Sequence, residues 1–277
     1  MENKKGISPT GIKLLGAIGA LGAAAVLLVS GTLAWFTVSN TPTISKIKVN
    51  IGATQNFEIA KATDEGNTKP NEVTENDSDN EFAWGQIISF GDEGSEPIEI
   101  NLPVKVDEDG EVKTVVFDEN TGRTNGLTND GIEESPMENG IAYYSYTVKT
   151  DDKTEEKKCG ARMGFWLRTN TPGAISCEVG DISVSNDNFK RGALGIAVKI
   201  DKDGKWITLN PNDSTSLGDL AADSDGHYCE IMVYLNGDTS DDPEKGVVAM
   251  DVGGGEAISV EIDKIMFKNS NVNTDGQ

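Results

Sequence analysis

Short stretches in which apolar and polar residues alternate dominate the chain. Between Ile44 and Ala53, for example, lysine and asparagine alternate with isoleucine and valine. A period of two places one set of side chains on an apolar face and the other in water, as in a half-buried β-strand. About a dozen such stretches follow one another between clusters of Gly, Asn, Asp and Pro, and no long helical pattern occurs. The pattern predicts an antiparallel all-β protein.

Three long polar segments separate the predicted strands. They cover residues 63–80, 118–139 and 210–226, and Ser216–Ala222 in the third is the one candidate for a helical turn. The strand number and the need to cover sheet edges favour two packed sheets, a β-sandwich of jelly-roll type. We expect a linker over residues 35–43 and a single β-sandwich domain over residues 44–277.

The amino terminus contains a segment suited to engaging a membrane. Lys4, Lys5 and Lys13 form a basic start, and no charged residue occurs from Leu14 to Phe36. These 23 residues are long enough to cross a hydrocarbon core of about 30 Å. Two interpretations stand, a signal peptide over residues 1–34 or an uncleaved anchor. The basic flank stays in the cytoplasm by the positive-inside rule, so the rest of the chain is exported in either case.

Small residues near the end of this segment mark a cleavage site. Thr32 and Ala34 stand at positions −3 and −1 relative to a cut before Trp35, as signal peptidases require. The many glycines and alanines also make the segment a poor permanent anchor. We therefore favour cleavage.

The charge of the chain excludes one class of function and its histidine content another. The net charge is −22 over 277 residues, and there is one histidine. Residues 1–34 hold three lysines and one glutamate, so the remainder carries −24. Binding to nucleic acid needs clustered Lys and Arg, and HExxH metalloprotease sites need two histidines. We expect a structural protein rather than an enzyme, with no nucleic-acid partner.

The three cysteines are an odd number for an exported chain, so at most one internal bridge can form. Cys177 and Cys229 alternate with apolar neighbours and are predicted to face the core, either bridged to each other or as free buried thiols. Cys159 follows the charged run Glu155–Lys158, which predicts an exposed position. His227 stands beside a glycine at a strand start, and we expect no catalytic or metal role for it.

Several acidic turns end in glycine and begin like a D-x-D-G calcium loop. The full loop also needs further oxygen ligands and a glutamate at position 12, which these runs do not supply in register. Asp-Gly between alternating strands favours a hairpin turn, with calcium as the alternative and no other cofactor expected. The calcium candidates are Asp107, Asp109, Asp201 and Asp203.

Aromatic residues cluster near the middle of the sequence. A ligand platform is one interpretation, and filling of the core or the sheet surface is the other. The residues concerned are Tyr143, Tyr144, Tyr146, Phe165 and Trp166.

The residues at the end of the apolar segment follow a recognisable pattern. Gly31, Thr32, Ala34 and Phe36 match a G-T-x-A-x-F junction, after which come a polar linker and the first predicted strand. In this pattern the chain resembles the TasA and camelysin family, exported proteins of Gram-positive bacteria that a signal peptidase of the SipW type processes. It departs from the pattern at Trp35, which is bulky where TasA carries a small residue.

The resemblance implies a jelly-roll fold and a structural function. It implies a secreted subunit of biofilm-matrix or cell-surface fibres, whose partners are copies of itself and related matrix subunits. It also implies donor-strand exchange, in which the amino-terminal strand of one subunit completes a sheet of the next. Pairing of that strand within its own chain is the alternative. Its apolar residues are Ile44, Ile47, Val49 and Ile51.

Two further functions stand as alternatives. Retention of Leu14–Phe36 would make the protein a membrane-anchored surface or adhesion module. The same resemblance also implies a surface metallopeptidase, since camelysin has been classed as one. The sequence offers neither HExxH nor a Ser/His/Asp arrangement, so we expect the fibre subunit first.

Polymerisation would bring together bodies of like charge. Repulsion between them is strong at low ionic strength and is screened by salt. We therefore expect salt or divalent cations to promote assembly.

Overall fold

The computed structural model describes residues 43–54, 56–70, 82–117, 124–128, 131–150, 153–186, 189, 191–237 and 257–269. These residues form sixteen β-strands and one 3-10 turn, Arg191–Ala193. In this part of the chain no helix is long and apolar enough to cross a membrane. The strands are β1 (Thr43–Ala53), β2 (Phe57–Lys61), β3 (Ile87–Phe90), β4 (Pro103–Val106), β5 (Val112–Phe117), β6 (Thr124–Thr128), β7 (Ile132–Glu134), β8 (Ile141–Thr150), β9 (Lys153–Thr169), β10 (Gly173–Val179), β11 (Ile182–Val184), β12 (Leu194–Ile200), β13 (Ile207–Leu209), β14 (Ser214–Leu220), β15 (Asp223–Asn236) and β16 (Ala257–Asn269).

The smaller of two sheets contains six strands in the order β14-β10-β16-β1-β3, and β11 pairs with the first half of β16. Strand β1 lies inside this sheet, parallel to β16 on one side and antiparallel to β3 on the other. Buried and solvent-facing positions alternate along most of β1 and β16, and the alternation shifts by one position near Ser45 in β1 and near Lys264 in β16. One face of the sheet is therefore apolar and the other meets water, as the alternation predicts.

The larger sheet contains ten strands, and its main order is β6-β5-β4-β15-β9-β8-β7. Strand β12 pairs along β15 and carries β13 on its far side. Strand β2 pairs with the last residues of β9, beyond the part that pairs with β8. The long strands β9 and β15 form the centre of this sheet.

The main core lies between the two sheets. Alternate residues of β9 and β15 point into it from the larger sheet, and those of β1 and β16 point into it from the smaller one. The rings of Phe165 and Phe267 meet across the sheets, with their centroids 5.4 Å apart. Two sheets packed face to face in this way form a β-sandwich, which confirms the all-β fold class.

The other face of the larger sheet is buried too. Tyr144, Trp206, Met232 and Tyr234 form a second apolar cluster there, together with Val104 of the β4–β5 hairpin. Strand β15 is therefore covered on both faces and contains eight consecutive buried residues, 228–235. Strands buried on both faces lose the simple alternation of a half-exposed strand.

An ionic cluster is buried within this second layer. Two nitrogens of Arg162, Nε and Nη2, donate to the carboxylate of Glu230 at 2.7 and 3.0 Å, and Nη1 donates to Glu134 at 2.7 Å. The Lys199 ammonium lies 3.3 Å from Glu230. Burial alone would raise the pKa of Glu230, but the hydrogen bonds and charge of Arg162 outweigh burial and lower that pKa. Glu230 is thus held as a carboxylate inside the protein.

The observed strands differ from the prediction in three respects, the first being that β6 and β7 lie within residues 118–139, which were predicted to be a polar segment between strands. Two pairings are parallel, β1 with β16 and β4 with the last residues of β15, whereas the pattern predicted antiparallel strands. The helical turn predicted at Ser216–Ala222 was wrong, because β14 runs through Ser214–Leu220 and pairs with β10. It is an outer strand with a polar sequence, so it lacks the apolar period that marks the others. The jelly-roll strand order stays a prediction.

Replacing Arg162 by methionine should strongly destabilise the protein at pH 7. The change leaves Glu230 buried with Lys199 as its remaining cation, and removing one partner of a buried ion pair costs about 3–5 kcal/mol. Denaturant unfolding measures the loss. As a control, K157M removes a surface pair with Glu155 at 2.8 Å and should cost less than about 1 kcal/mol. Equal losses in the two variants would contradict the importance of the cluster.

The stability of wild type and that of R162M should also depend differently on pH. The pKa of Glu230 lies below its ordinary value of 4.5, so the stability that the cluster contributes is present above pH 4.5. It is lost as the pH falls below 4.5, because the unfolded chain takes up the proton first. The stability difference between wild type and R162M should therefore shrink in acid.

Candidate functional site

The first strand occupies a closed position within the smaller sheet. Strand β16 pairs with it along its whole length. On the opposite side β3 pairs with Val49–Gly52, and Ile44 exchanges two backbone hydrogen bonds with Ile100, at 2.9 and 3.0 Å. We call this position the β1 seat. The four predicted assembly residues are all completely buried in it: Ile44, Ile47, Val49 and Ile51.

A bulge at Ser45 brings Ile44 to the same side as the other three residues. Ile44 and Ile47 are three positions apart, so strict alternation would place them on opposite faces. The pairing skips Ser45, because Ile44 lies beside Ile258 and Lys46 lies beside Ser259. The Ser45 hydroxyl donates to the Ile258 carbonyl at 3.4 Å. The bulge thus gives β1 one continuous apolar face.

Polar contacts fasten the outer face of β1. The Asn50 side chain accepts a hydrogen bond from the Ser89 hydroxyl at 2.7 Å and donates to the Asp263 carbonyl at 2.9 Å. Lys48 pairs with Glu261 at 3.1 Å, and the hydrogen bond from this partner raises the pKa of Lys48. Because these contacts lie at the surface, they set the register of β1 more than they stabilise it.

A glycine closes the β1 seat at the end of β3. Gly91 has a φ of 75°, and a Cβ atom on it would lie 2.0 Å from the carbonyl oxygen of Ile47. Only glycine fits so close to another backbone in this conformation. Gly91 was not predicted from the sequence, although the turn residues Gly91–Gly94 directly after the apolar run Ile87–Phe90 were a signal for it.

Strand β1 leads from its seat directly into the larger sheet. Residues 54–56 connect it to β2. The Thr54 amide donates to the Phe267 carbonyl at 3.1 Å, and the Phe57 amide donates to the Thr54 carbonyl at 2.9 Å. One short connection therefore joins β1 to everything that follows it in the chain.

The predicted processing residues cannot be placed relative to this seat. Thr32, Ala34 and Trp35 lie outside the described residues, and so does the apolar run Leu14–Phe36. Cleavage before Trp35 stays a prediction. The described chain begins at Thr43, which is the first residue of β1.

The acidic turn at Asp107 joins β4 to β5 as a hairpin. One carboxylate oxygen of Asp107 accepts hydrogen bonds from the backbone amides of Asp109 and Glu111, at 3.0 and 2.9 Å. The bond from Glu111 is the main cause that lowers the pKa of Asp107, and Lys113 at 3.4 Å adds to it. The carboxylate is thus used to close the turn.

The turn at Asp201–Gly204 joins β12 to β13 and lies against the first turn. The amide of Gly204 donates to the Asp201 carbonyl at 3.0 Å, and the amide of Trp206 donates to the Gly110 carbonyl at 3.3 Å. The described residues include no group of three or more His, Cys, Asp or Glu side chains that could hold a metal ion. The hairpin interpretation accounts for both turns, and calcium at Asp107, Asp109, Asp201 and Asp203 stays a prediction.

His227 has partners for both ring nitrogens. Its Nδ1 lies 3.1 Å from a carboxylate oxygen of Asp201, and its Nε2 lies 3.1 Å from the carbonyl oxygen of Ala221. The ring therefore ties the β12–β13 turn to the segment that precedes β15. This is a structural contact between two turns.

All three cysteines are free and buried. Cys177 and Cys229 face the main core, as predicted, and they do not form a bridge. The exposed position predicted for Cys159 was wrong. The register between β8 and β9 shifts at this residue, since Tyr144 lies beside Gly160 and Ser145 beside Lys158, so Cys159 turns into the second apolar cluster. Burial raises the pKa of Cys159 and of Cys177 to about 12, so both thiols stay protonated.

The aromatic residues of the middle of the sequence do not form one platform. Tyr143 and Phe165 belong to the main core, Tyr144 and Tyr146 pack in the second cluster, and Trp166 lies in a third. Successive residues of a strand point to opposite faces, which divides the group.

The described geometry is suited to binding a strand. The β1 seat offers the backbone groups of β16 and β3 and a row of apolar pockets, and proteins bind extended segments with such features. Comparison with protein-family models, with curated proteins and with solved structures found no match for this chain. The fold and the β1 seat are therefore the basis for a functional proposal.

Replacing Gly91 by alanine should disturb the packing of β1 in its seat and destabilise the protein. The added Cβ meets the Ile47 carbonyl at 2.0 Å in addition to the strain of the positive φ. Gly94 is a matched control, because it has a φ of 93° and nothing within 4 Å of an added Cβ. We expect G94A to cost about 1 kcal/mol and G91A at least about 2 kcal/mol more in thermal or denaturant unfolding. Equal costs would show that the contact with Ile47 is unimportant.

Proposed function

We propose that this protein is an exported structural subunit of extracellular, biofilm-matrix or cell-surface fibres, and that it assembles by exchange of β1 between copies. The observation that carries the proposal is the β1 seat. The first described strand lies inside a sheet and buries all its apolar residues there. Along the chain, β2 follows it within a few residues. A strand at one end of a domain can leave its seat without unthreading any other strand.

A subunit whose β1 has left the seat would bind an identical strand strongly. Without β1, the edges of β16 and β3 would expose unpaired backbone groups, and the main core would expose its apolar side chains. A β1 strand from another copy makes the same contacts as the native one, so exchange changes little in contact energy. Each subunit then fills the next, which generates an open chain when the geometry does not close on itself.

The residues that precede β1 in the chain support the proposal that the protein is exported. The G-T-x-A-x-F junction resembles that of the TasA and camelysin family, which implies a SipW-type signal peptidase, a Gram-positive host and related matrix subunits as further partners. A membrane contact is needed only through the amino-terminal segment. The rest of the chain has a net charge of −24 without residues 1–34, which disfavours binding to nucleic acid.

Intact mass measured on the protein recovered from the culture medium tests the export step. We expect a mass that lacks residues 1–34, because Thr32 and Ala34 satisfy the requirements of a signal peptidase. The full mass, found in the membrane fraction, would contradict a released subunit and favour the anchored surface module. A T32K/A34K variant is the control, since it should stop cleavage at this bond.

A disulfide that locks β1 in its own seat tests the assembly step. Asn50 and Ser89 are direct partners on β1 and β3, and their side chains already touch at 2.7 Å, so N50C/S89C should form a bridge. We expect the oxidised variant to remain monomeric in electron micrographs and to form filaments after reduction. The bridge K105C/K113C between β4 and β5 is the control, because it leaves β1 free.

The outcomes separate the two parts of the proposal. Filaments from oxidised N50C/S89C would exclude exchange of β1 while leaving a fibre subunit in place. Absence of filaments from the processed wild-type protein, at any ionic strength, would contradict the fibre function itself.

A further inference from the structure

The turn between β1 and β2 is the part of the chain that exchange of β1 would change. A β1 strand from another copy makes the same contacts with β16 and β3 as the native strand, so those contacts do not distinguish the closed form from the exchanged form. In the closed form the chain turns from the smaller sheet into the larger sheet of the same copy within a few residues. Contacts that hold this turn therefore determine how readily β1 leaves its seat.

The Thr169 side chain holds the turn from the larger sheet. Thr169 is the last residue of β9, lies beside Phe57 in the ladder with β2, and is only 2% exposed. Its hydroxyl donates to the Asn56 carbonyl at 2.9 Å, with the Thr171 carbonyl as a second acceptor at 3.1 Å. The same oxygen accepts a hydrogen bond from the Thr171 amide at 3.1 Å. This buried hydroxyl thus fixes Asn56 against the end of β9.

Backbone hydrogen bonds on either side of Asn56 close the turn. The Phe57 amide donates to the Thr54 carbonyl at 2.9 Å, and the Thr54 amide donates to the Phe267 carbonyl of β16 at 3.1 Å. Straightening the chain, as exchange requires, would separate Thr54 from Phe57 and rotate the Asn56 carbonyl away from Thr169. The hydrogen bond from Thr169 therefore belongs to the closed form.

Gln86 contacts the same turn without distinguishing the two forms. Its Nε2 donates to the Phe57 carbonyl at 2.7 Å, and its backbone carbonyl accepts from the Ala53 amide at 2.9 Å. Phe57 belongs to β2, which stays in its own subunit, and an incoming β1 supplies the same Ala53 amide. Gln86 therefore provides a matched comparison for Thr169, because its side chain also donates one hydrogen bond to a backbone carbonyl of this region.

A polar cavity of about 330 Å³ lies beside the turn. Asn56 and Gln86 line it together with residues 169–171, and Asn56 is exposed to solvent. Regions with few apolar contacts and exposed backbone groups open locally at low free-energy cost. The turn can therefore open without disturbing the main core.

We propose that the Thr169 hydroxyl acts as a latch that retains β1 in its own seat, and that loss of its hydrogen bond to Asn56 releases β1. This inference rests on the proposed exchange of β1 and identifies the contact that regulates it. Contacts shared by two states cannot shift the balance between them, whereas a contact made in only one state does so. A subunit with the hydrogen bond formed keeps its β1, and a subunit without it offers β1 to the next copy.

Hydrogen–deuterium exchange of the purified protein tests the latch at low ionic strength, where charge repulsion opposes assembly. T169V removes the hydroxyl with little change in volume. We expect β1 peptides to exchange about tenfold faster in T169V than in wild type, because a buried hydrogen bond is lost and its acceptor is left unpaired. Peptides from β15, at the centre of the larger sheet, should keep their wild-type rates. Q86M is the matched control and should leave the β1 rates unchanged.

Equal rates for β1 in wild type and T169V would overturn the proposal, as would faster exchange throughout the larger sheet, which would indicate a general loss of stability. The lag before filaments form at high ionic strength is a separate readout, which should shorten in T169V and stay unchanged in Q86M. Faster exchange confined to β1, with no filaments from any of the three proteins, would support the latch and contradict only the fibre function. Filaments that form at equal rates from wild type and T169V would overturn control of assembly by Thr169.

Discussion

The pairing of β1 with β16 is the interaction on which the rest of the structure depends. These are the first and last described strands, and their parallel ladder closes the smaller sheet between β3 and β10. Fully burying one aliphatic side chain contributes about 1.5–3 kcal/mol, so four of them in β1 represent a large part of a typical stability. The β1 seat therefore has to be filled. In the function proposed above, a β1 strand from a neighbouring copy fills it instead.

The larger sheet depends on a different constraint, because its central strands are buried on both faces. A one-residue slip of β9 against β15 would move Arg162 from the second layer into the main core, where it has no partner. The bidentate contact between Arg162 and Glu230, at 2.7 and 3.0 Å, is thus well suited to fixing the register. We regard register rather than net stability as its main contribution, since buried ion pairs often cost as much as they return.

The sequence predicted the strand character well where one face of a strand meets water. The alternation identified β1, and it placed Cys177 and Cys229 in the core. The charged run before Cys159 predicted an exposed side chain and was wrong, because a register shift turns that side chain to the other face. The alternation missed β14, because an outer strand with polar residues has no apolar period, and it also missed the short strands β6 and β7. The local pattern also did not identify Gly91, because this residue matters through its close approach to Ile47, which is distant in sequence.

The sequence by itself determined that the chain forms strands, which residues of β1 are buried, and that a strongly acidic body follows a long uncharged apolar segment. The tertiary structure alone decided the partners of each strand, the parallel β1 seat and the buried ionic cluster. The reason is the sequence separation of the contacts involved. Alternation is a local property repeated every two residues, whereas contacts such as that between Ser45 and Ile258 join positions 213 residues apart, and only the packed chain selects them.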